Sequence, residues 1–227
     1  ITFTINGQAN QSYNCSNVGS NTVVLRATDA SGNTSTCTTI VNIQDNIPPV
    51  AVCKAITVDL DATGNVVVSG TQLNDGSTDN CNGSLTYLIN GNPSNTFRCE
   101  NIGSNSVTFT ARDQYGNTST CITSVTVRDV TPPTAVCAPF TATLNASGIA
   151  TITAANVDNG STDNCSATLT RTVTPNTFNC SNIGSNTVTL RVTDAAGNSS
   201  TCTSIVTVQD RTSPVARCRP ATIILDA

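Results

Sequence analysis

Three segments of the chain align without a gap: "NCSNVGSNTVVLRATDASGNTSTCTTIVNIQD" ending at Asp45, "RCENIGSNSVTFTARDQYGNTSTCITSVTVRD" ending at Asp129, and "NCSNIGSNTVTLRVTDAAGNSSTCTSIVTVQD" ending at Asp210. The period is 84 residues and then 81. A period this long marks an array of small domains rather than one large core. A proline-bearing joint follows each segment: "NIPPVAVC", "VTPPTAVC", "TSPVARC". The opening "ITFTINGQANQSYNC" matches "LTYLINGNPSNTFRC" at Leu85–Cys99, and the closing "ATIILDA" echoes "ITVDLDA" at Ile56–Ala62. The sequence therefore reads as an excerpt. Residues 1–45 are the C-terminal part of a repeat, 46–129 and 130–210 are complete repeats, and 211–227 begin another.

Within a repeat the apolar period is two. Val23, Leu25 and Ala27 share one face, with Thr22, Val24, Arg26 and Thr28 on the other; Val107, Phe109, Ala111 and Val188, Leu190, Val192 repeat the inner row. Such alternation predicts a strand with one face buried. "DASGN", "DQYGN" and "DAAGN" follow, each a hairpin closure in which Gly supplies the positive φ and Asp caps its own turn. Pairing Asp29 with Asn33 sets Leu25 opposite Cys37, so that this cysteine faces the core. Turn signals mark about seven short strands per repeat, with no room for helices. The predicted fold class is all-β: tandem immunoglobulin-like β-sandwich repeats of 81–84 residues, stapled by disulfides.

The cysteines follow the same period. Cys53, Cys81, Cys99 and Cys121 belong to one complete repeat, and Cys137, Cys165, Cys180 and Cys202 to the next. Four cysteines allow three connectivities. In a sandwich the first strand starts at the end where the loop between the second and third strands lies, which brings Cys53 toward Cys81. Cys99 ends a strand of one sheet, and Cys121 faces inward from the other. The preferred scheme is Cys53–Cys81 with Cys99–Cys121, Cys137–Cys165 with Cys180–Cys202, and Cys15–Cys37 in the partial first repeat. Cys218 is left over, its partner expected beyond Ala227. A bridge closing a loop of about 20 residues contributes on the order of 3 kcal/mol, support that a domain of about 80 residues with few aromatics needs. Zinc is disfavoured because the chain has neither His nor a Cys-x-x-Cys pair. An oxidising, extracellular setting follows.

Charge and residue types exclude other classes. A net charge of −4 argues against nucleic acid, which selects basic surfaces. No apolar run approaches the roughly 18 residues of a membrane helix. With no His to act as base, one Lys (Lys54) and one Glu (Glu100), the chain does not read as an enzyme.

The stretch "GSTDNC" occurs unchanged at Gly76–Cys81 and Gly160–Cys165. It raises the one cofactor possibility, Ca²⁺, which takes six to eight oxygens from Asp, Asn and backbone carbonyls. The sandwich topology brings Asp45, Asp79, Asn80 and Asp113 (with Asn117) to one joint, and Asp129, Asp163, Asn164 and Asp194 (with Asn198) to the next. The competing reading is plain turn chemistry, in which Asp and Asn cap hairpins and "TDNC" only positions a cysteine. No twelve-residue calcium loop is present, and "NDGS" at Asn74–Ser77 becomes "DNGS" at Asp158–Ser161.

Outward Val24, Ile40, Ile122 and Ile205 sit among rows of Thr, Ser and Asn, and make self-association into a bundle plausible. A specific carbohydrate-binding module is the alternative from another class. Against it stands an aromatic content of 4%, with Tyr13, Tyr87 and Tyr115 the only tyrosines.

The combined run D-x-x-x-P … A-x-C … LDA-x-G … DNC … VTLxVTDxxGNxSTC … VTVxD resembles the HYR-like, immunoglobulin-like repeats of giant surface proteins of gliding and filamentous Bacteroidota. The resemblance covers the whole chain. It implies secretion by the type IX route and a non-catalytic structural or adhesive role in an extended stalk or filament. It also implies contact with another cell or a substratum, for attachment or gliding. HYR repeats commonly carry a cysteine near the start of the second strand; the matching residue here is Cys99 or Cys180.

Overall fold

The structure is a computed structural model that describes residues 1–81 and 83–223. The last part of the "ATIILDA" echo, 224–227, lies outside the described residues. Fifteen strands follow the alternating rows: β1 (Thr2–Ile5), β2 (Gly19–Thr28), β3 (Thr34–Ile43), β4 (Ile56–Asp59), β5 (Asn65–Ser69), β6 (Thr86–Ile89), β7 (Ser94–Arg98), β8 (Gly103–Arg112), β9 (Thr118–Arg128), β10 (Phe140–Thr143), β11 (Ile149–Thr151), β12 (Thr170–Thr174), β13 (Thr177–Asn179), β14 (Gly184–Thr193) and β15 (Ser199–Gln209). They form a sheet ordered β1-β2-β3, a pair of sheets β4-β9-β8-β6 and β5-β7, and a pair β10-β15-β14-β12 and β11-β13. The backbone divides into two compact units, Ile1–Val58 with Asn65–Arg128, and Asp59–Gly64 with Asp129–Ala227.

The long hairpin is the backbone of each sheet system. β2 and β3 pair from Gly19↔Ile43 to Thr28↔Thr34, with Leu25 opposite Cys37. β8 and β9 repeat that register with Phe109 opposite Cys121, and β14 and β15 with Leu190 opposite Cys202. Strand β10 joins β15 in parallel, Phe140↔Val206 to Thr143↔Gln209.

In each complete repeat the inward row of the four-stranded sheet is covered by the two-stranded sheet and the turns beside it. In the first unit the buried row is Ile89, Val107, Phe109, Ala111, Val125 and Val127 of the four-stranded sheet, with Val68, Leu73 and Phe97 buried in the covering layer. In the second, Val188, Leu190, Val192, Val206 and Val208 pack with Ala150, Ile152, Val157 and Phe178. The sheet β1-β2-β3 has the same alternation but no two-stranded partner sheet among the described residues. Val23 is buried there, Leu25 and Ala27 are half-buried, and Phe3 is exposed. The contrast shows that burial of the row comes from the facing layer, not from the strand itself.

Two expectations change in detail. Each complete repeat has six named strands, not seven, because the segment expected as a first strand makes only isolated bridges: Val50↔Thr78 and Cys53↔Asn74, then Thr134↔Thr162 and Cys137↔Asp158. Pro48, Pro49, Pro132, Pro133 and Pro139 crowd those segments, and proline cannot donate to a ladder. Helical turns also exist: an α turn at Gly70–Leu73 and 3-10 turns at Cys15–Asn17, Cys99–Asn101, Ala154–Asn156 and Cys180–Asn182.

The cysteine pairing is a larger correction. The bridges are Cys15–Cys81, Cys53–Cys121 and Cys137–Cys202, with Cα atoms 5.1, 6.3 and 6.0 Å apart. Cys99 and Cys165 are also disulfide-bonded, while Cys37, Cys180 and Cys218 are free thiols on exposed residues. None of the expected pairs Cys15–Cys37, Cys53–Cys81, Cys99–Cys121, Cys137–Cys165 and Cys180–Cys202 forms. Strand register explains why. Gly103, at the far end of the hairpin, lies opposite Val127, six positions from Cys121, and Cys99 comes four residues before Gly103, outside the strand. Six positions at about 3.4 Å each is about 20 Å, against the roughly 7 Å that a bridge spans. The same offset separates Cys15 from Cys37 and Cys180 from Cys202. Cys53 fails to reach Cys81 because the Val50↔Thr78 and Cys53↔Asn74 bridges run antiparallel, so the chain moves away from Cys81 as it approaches Cys53.

Candidate cation centre

The "GSTDNC" turn is built twice in the same way. In the first copy Val50 N donates to Thr78 O (2.7 Å) and Val52 N to Ser77 Oγ (3.0 Å); Ser77 N donates to Asn74 Oδ1 (3.0 Å). In the second, Thr134 N donates to Thr162 O (2.7 Å), Val136 N to Ser161 Oγ (3.0 Å), and Ser161 N to Asp158 Oδ1 (3.2 Å). These serines pin the turn to the segment after the proline joint. Sequence reasoning missed that role, although the invariant Ser of the repeated hexapeptide was its signal.

Pinned in this way, the turn places its aspartate. Asp79 Oδ2 accepts from Cys81 N (2.9 Å), and Asp163 Oδ2 accepts from Cys165 N (2.9 Å) and Ser166 N (2.8 Å). The aspartates of the joint behave alike: Asp45 Oδ1 accepts from Ile47 N (3.1 Å) and Asp129 Oδ1 from Thr131 N (3.0 Å). Each of these four carboxylates thus spends one oxygen on its own turn. The other oxygens, Asp45 Oδ2, Asp79 Oδ1, Asp129 Oδ2 and Asp163 Oδ1, are buried and accept no hydrogen bond.

The hairpin aspartates complete the arrangement. Asp194 Oδ1 and Oδ2 accept from the backbone and side-chain N–H of Asn198 (both 2.8 Å), and the same Asn198 amide donates to Asp129 O (3.2 Å). One repeat earlier, Asn117 holds Asp113 Oδ1 and Oδ2 (2.8 and 2.7 Å) and donates to Asp45 O (3.0 Å). An asparagine amide therefore clips each hairpin turn to the carbonyl of the joint.

The outcome differs between the two copies. Carboxylate oxygens of Asp129, Asp163 and Asp194 lie within 4.8 Å of one another. In the earlier copy the corresponding group is Asp45, Asp79 and the Cys81 sulfur; Asp113 is not part of it. The two expected amide ligands differ. Asn80 Nδ2 faces Cys81 Sγ (3.3 Å), whereas Asn164 Nδ2 donates to Asp61 O (3.3 Å) and the Asn164 side chain also hydrogen-bonds the Asp129 carboxyl.

Electrostatics separates the acids by role. Burial pushes the Asp129 carboxyl above its ordinary 3.8; the Thr131 N–H opposes that push, the Asp163 and Asp194 charges reinforce it, and the Asn164 side chain opposes it weakly. Burial also works on Asp113, but the N–H groups of Asn117, Tyr115 and Gly116 outweigh it and its pKa falls below 3.8. Asp29, in the first hairpin, is likewise lowered, chiefly by the Asn33 side chain. Asp113 and Asp29 are turn-capping carboxylates. Asp129 is one whose negative charge the protein compensates only in part.

No family model matches the chain. Among solved structures, human protocadherin-24 EC1-2 is similar at 14% identity and a TM-score of 0.40, over 73% of this chain and 100% of that one. Titin domains I67-I69 are similar at 11% identity and a TM-score of 0.40, over 84% of this chain and 75% of that one. PcdhgB3 EC1-4 is similar at 15% identity and a TM-score of 0.36, over 85% of this chain. The chain spans 58% of the length of PcdhgB3 EC1-4 and 60% of protocadherin gammaB7 EC3-6. No described helix is long and apolar enough to cross a membrane.

Proposed function

We propose that the chain is a non-catalytic structural and adhesive region of a large extracellular protein of a bacterial surface, in which tandem sandwich repeats make an extended stalk or filament. The observation that carries this reading is the Cys15–Cys81 bridge, whose Cα atoms are 5.1 Å apart across 66 residues of sequence. By the sequence boundaries at 45 and 129 it crosses from one repeat into the next, past a proline joint. Such a bridge persists only in an oxidising compartment. It also makes the joint a covalent ring rather than a single-chain hinge, which suits a device that carries load over distance. Calcium belongs to the same reading, as the ion that neutralises the acids gathered at the joints. Type IX secretion and a Bacteroidota source are supported by the sequence resemblance. Lateral self-association is supported by outward apolar residues, of which Ile40 and Ile122 are 67% and 77% exposed.

Labelling intact cells of the native organism with antibody raised against residues 1–227 tests the reading. Label along extracellular fibres, with attachment or gliding lost on deletion of the gene, is the expected result. Label confined to the cell interior overturns it.

A specific ligand-binding role is favoured by one observation. Tyr115, 41% exposed, borders a groove of about 440 Å³ with Asn42, Gln44, Asp45 and Asn46. Tyr87, by contrast, is half-buried and stacked on Phe109 with ring centres 5.6 Å apart. A glycan array probed with wild type and Tyr115→Ala separates the readings: Tyr115-dependent binding to defined sugars supports the second.

A further inference from the structure

We propose that Asp129, Asp163 and Asp194 together hold one calcium ion. The inference rests on the cation reading above but not on the adhesive role, and it assigns the ligands.

Three observations carry it. First, each of the three carboxylates contributes an oxygen to a cluster no wider than 4.8 Å. Three atoms that close share a centre at most about 2.8 Å from each, near the Ca²⁺–oxygen distance of about 2.3–2.6 Å, so one ion reaches all three with a small side-chain adjustment. Second, Asp129 is 6% exposed, yet its Oδ2 accepts no hydrogen bond; a buried carboxylate oxygen is ordinarily satisfied. Asp163 Oδ1 likewise is buried and accepts no hydrogen bond. Third, the division of labour is not forced by turn chemistry. Asp129 uses only Oδ1 for Thr131 N, and Asp163 only Oδ2 for Cys165 N and Ser166 N, so the free oxygens are surplus to the turns. The earlier copy leaves the equivalent Asp45 Oδ2 and Asp79 Oδ1 buried without donors as well, so the surplus recurs.

The donor set selects the ion. Three carboxylates carry more negative charge than a monovalent ion neutralises, and all are hard oxygen donors. No His is present in the chain, and the group contains no sulfur, which excludes the soft-ligand sites preferred by zinc or copper. Calcium accepts an irregular oxygen shell completed by water, whereas magnesium demands a near-ideal octahedron. Asn198 acts as a positioning residue, since its amide holds Asp194 Oδ2 and Asp129 O together.

The test uses the whole chain in an Asp79→Asn background, which removes the earlier acid pair and leaves one cluster to read. Equilibrium binding of radioactive calcium, after exhaustive chelation, is expected to give one ion per chain, with a melting temperature several degrees higher in millimolar calcium than in chelator. Magnesium at the same concentration gives a smaller shift. Adding Asp129→Asn is expected to weaken calcium binding at least tenfold. The same variant melts higher than its parent in chelator, because the amide relieves repulsion, and lower than its parent in calcium. That crossing of sign is not produced by a purely structural role. Absence of calcium uptake by the Asp79→Asn chain overturns the proposal, whatever the variants do. A calcium response unchanged by Asp129→Asn overturns it too. Either negative leaves the stalk reading to be judged by the labelling of cells.

Discussion

Cys15 and Cys81 stand 66 residues apart in sequence, with their Cα atoms 5.1 Å apart. One sits in the 3-10 turn Cys15–Asn17, which leads into β2, and the other closes the hexapeptide "GSTDNC". The same turn therefore presents Asp79 toward Asp45 and Cys81 toward Cys15, within three residues. The covalent fastening of the joint and the gathering of its acids are properties of one short loop. Cys81→Ser should free Cys15 and loosen that loop. The expected result is faster amide exchange at residues 77–81 and around Cys15, with the β8–β9 hairpin unaffected, as read by hydrogen exchange.

The bridge inside a repeat acts on stability rather than on the joint. Cys137 and Cys202 are 65 residues apart, so cross-linking them removes more unfolded-state freedom than a short loop does. Replacing both by Ala should cost about 4 kcal/mol by chain entropy, measured by denaturant unfolding.

Gly70 gives a prediction set by space. A Cβ there would lie 2.5 Å from the Tyr87 carbonyl carbon and oxygen, in backbone that has no flexible end to move. Gly70→Ala should cost about 1–3 kcal/mol, the usual range for overpacking. The aligned residue one repeat later is Ala154, and there the turn is 3-10 rather than α. The alanine is thus tolerated where the turn has already changed.

Asp158 and Arg171 form an ion pair, Oδ2 to Nε 2.9 Å, at positions where the preceding repeat has Asn74 and Tyr87. Burial acts to raise the Asp158 carboxyl, but hydrogen bonds from the Ser161 side chain and backbone and the charge of Arg171 bring it below 3.8. Its contribution is therefore fully present above 3.8 and is lost as pH falls through the lowered folded value. Asp158→Asn should remove that acid-limb slope and cost about 1–3 kcal/mol at neutral pH, because Arg171 loses its charged partner. Asp158→Asn with Arg171→Tyr, which copies the earlier repeat, should recover part of the loss in the same melts.

Asn198 joins two turns through one amide, so Asn198→Ala leaves the Asp194 carboxylate and the Asp129 carbonyl each short of a donor. A loss of about 1–3 kcal/mol is expected, read as a lower melting temperature in chelator.

Local rules carried much of this into view. The Asp-x-x-Gly-Asn turn and the alternation on either side set the hairpin register, including Leu25 opposite Cys37. The period of two named the rows that Phe109 and Leu190 bury. Convergence of Asp129, Asp163 and Asp194 was also legible, because sandwich topology puts the strand end and two loops at one pole. The cysteine partners were not. Inward orientation says which face a sulfur lies on but not its height along the strand, and height decides between Cys99 and Cys53 as the partner of Cys121. The register that was already in hand places Gly103 opposite Val127, and would have excluded Cys99. The side-chain directions of Asn80 and Asn164 depend on nearby sulfur and carbonyl groups that no periodicity encodes.

Peptide mapping by mass spectrometry, on the chain purified without reductant and with thiols blocked at lysis, tests the account most directly. Linked peptides containing Cys15 with Cys81, Cys53 with Cys121, and Cys137 with Cys202 are the predicted result. Cys15 joined to Cys37, or Cys53 joined to Cys81, would contradict it.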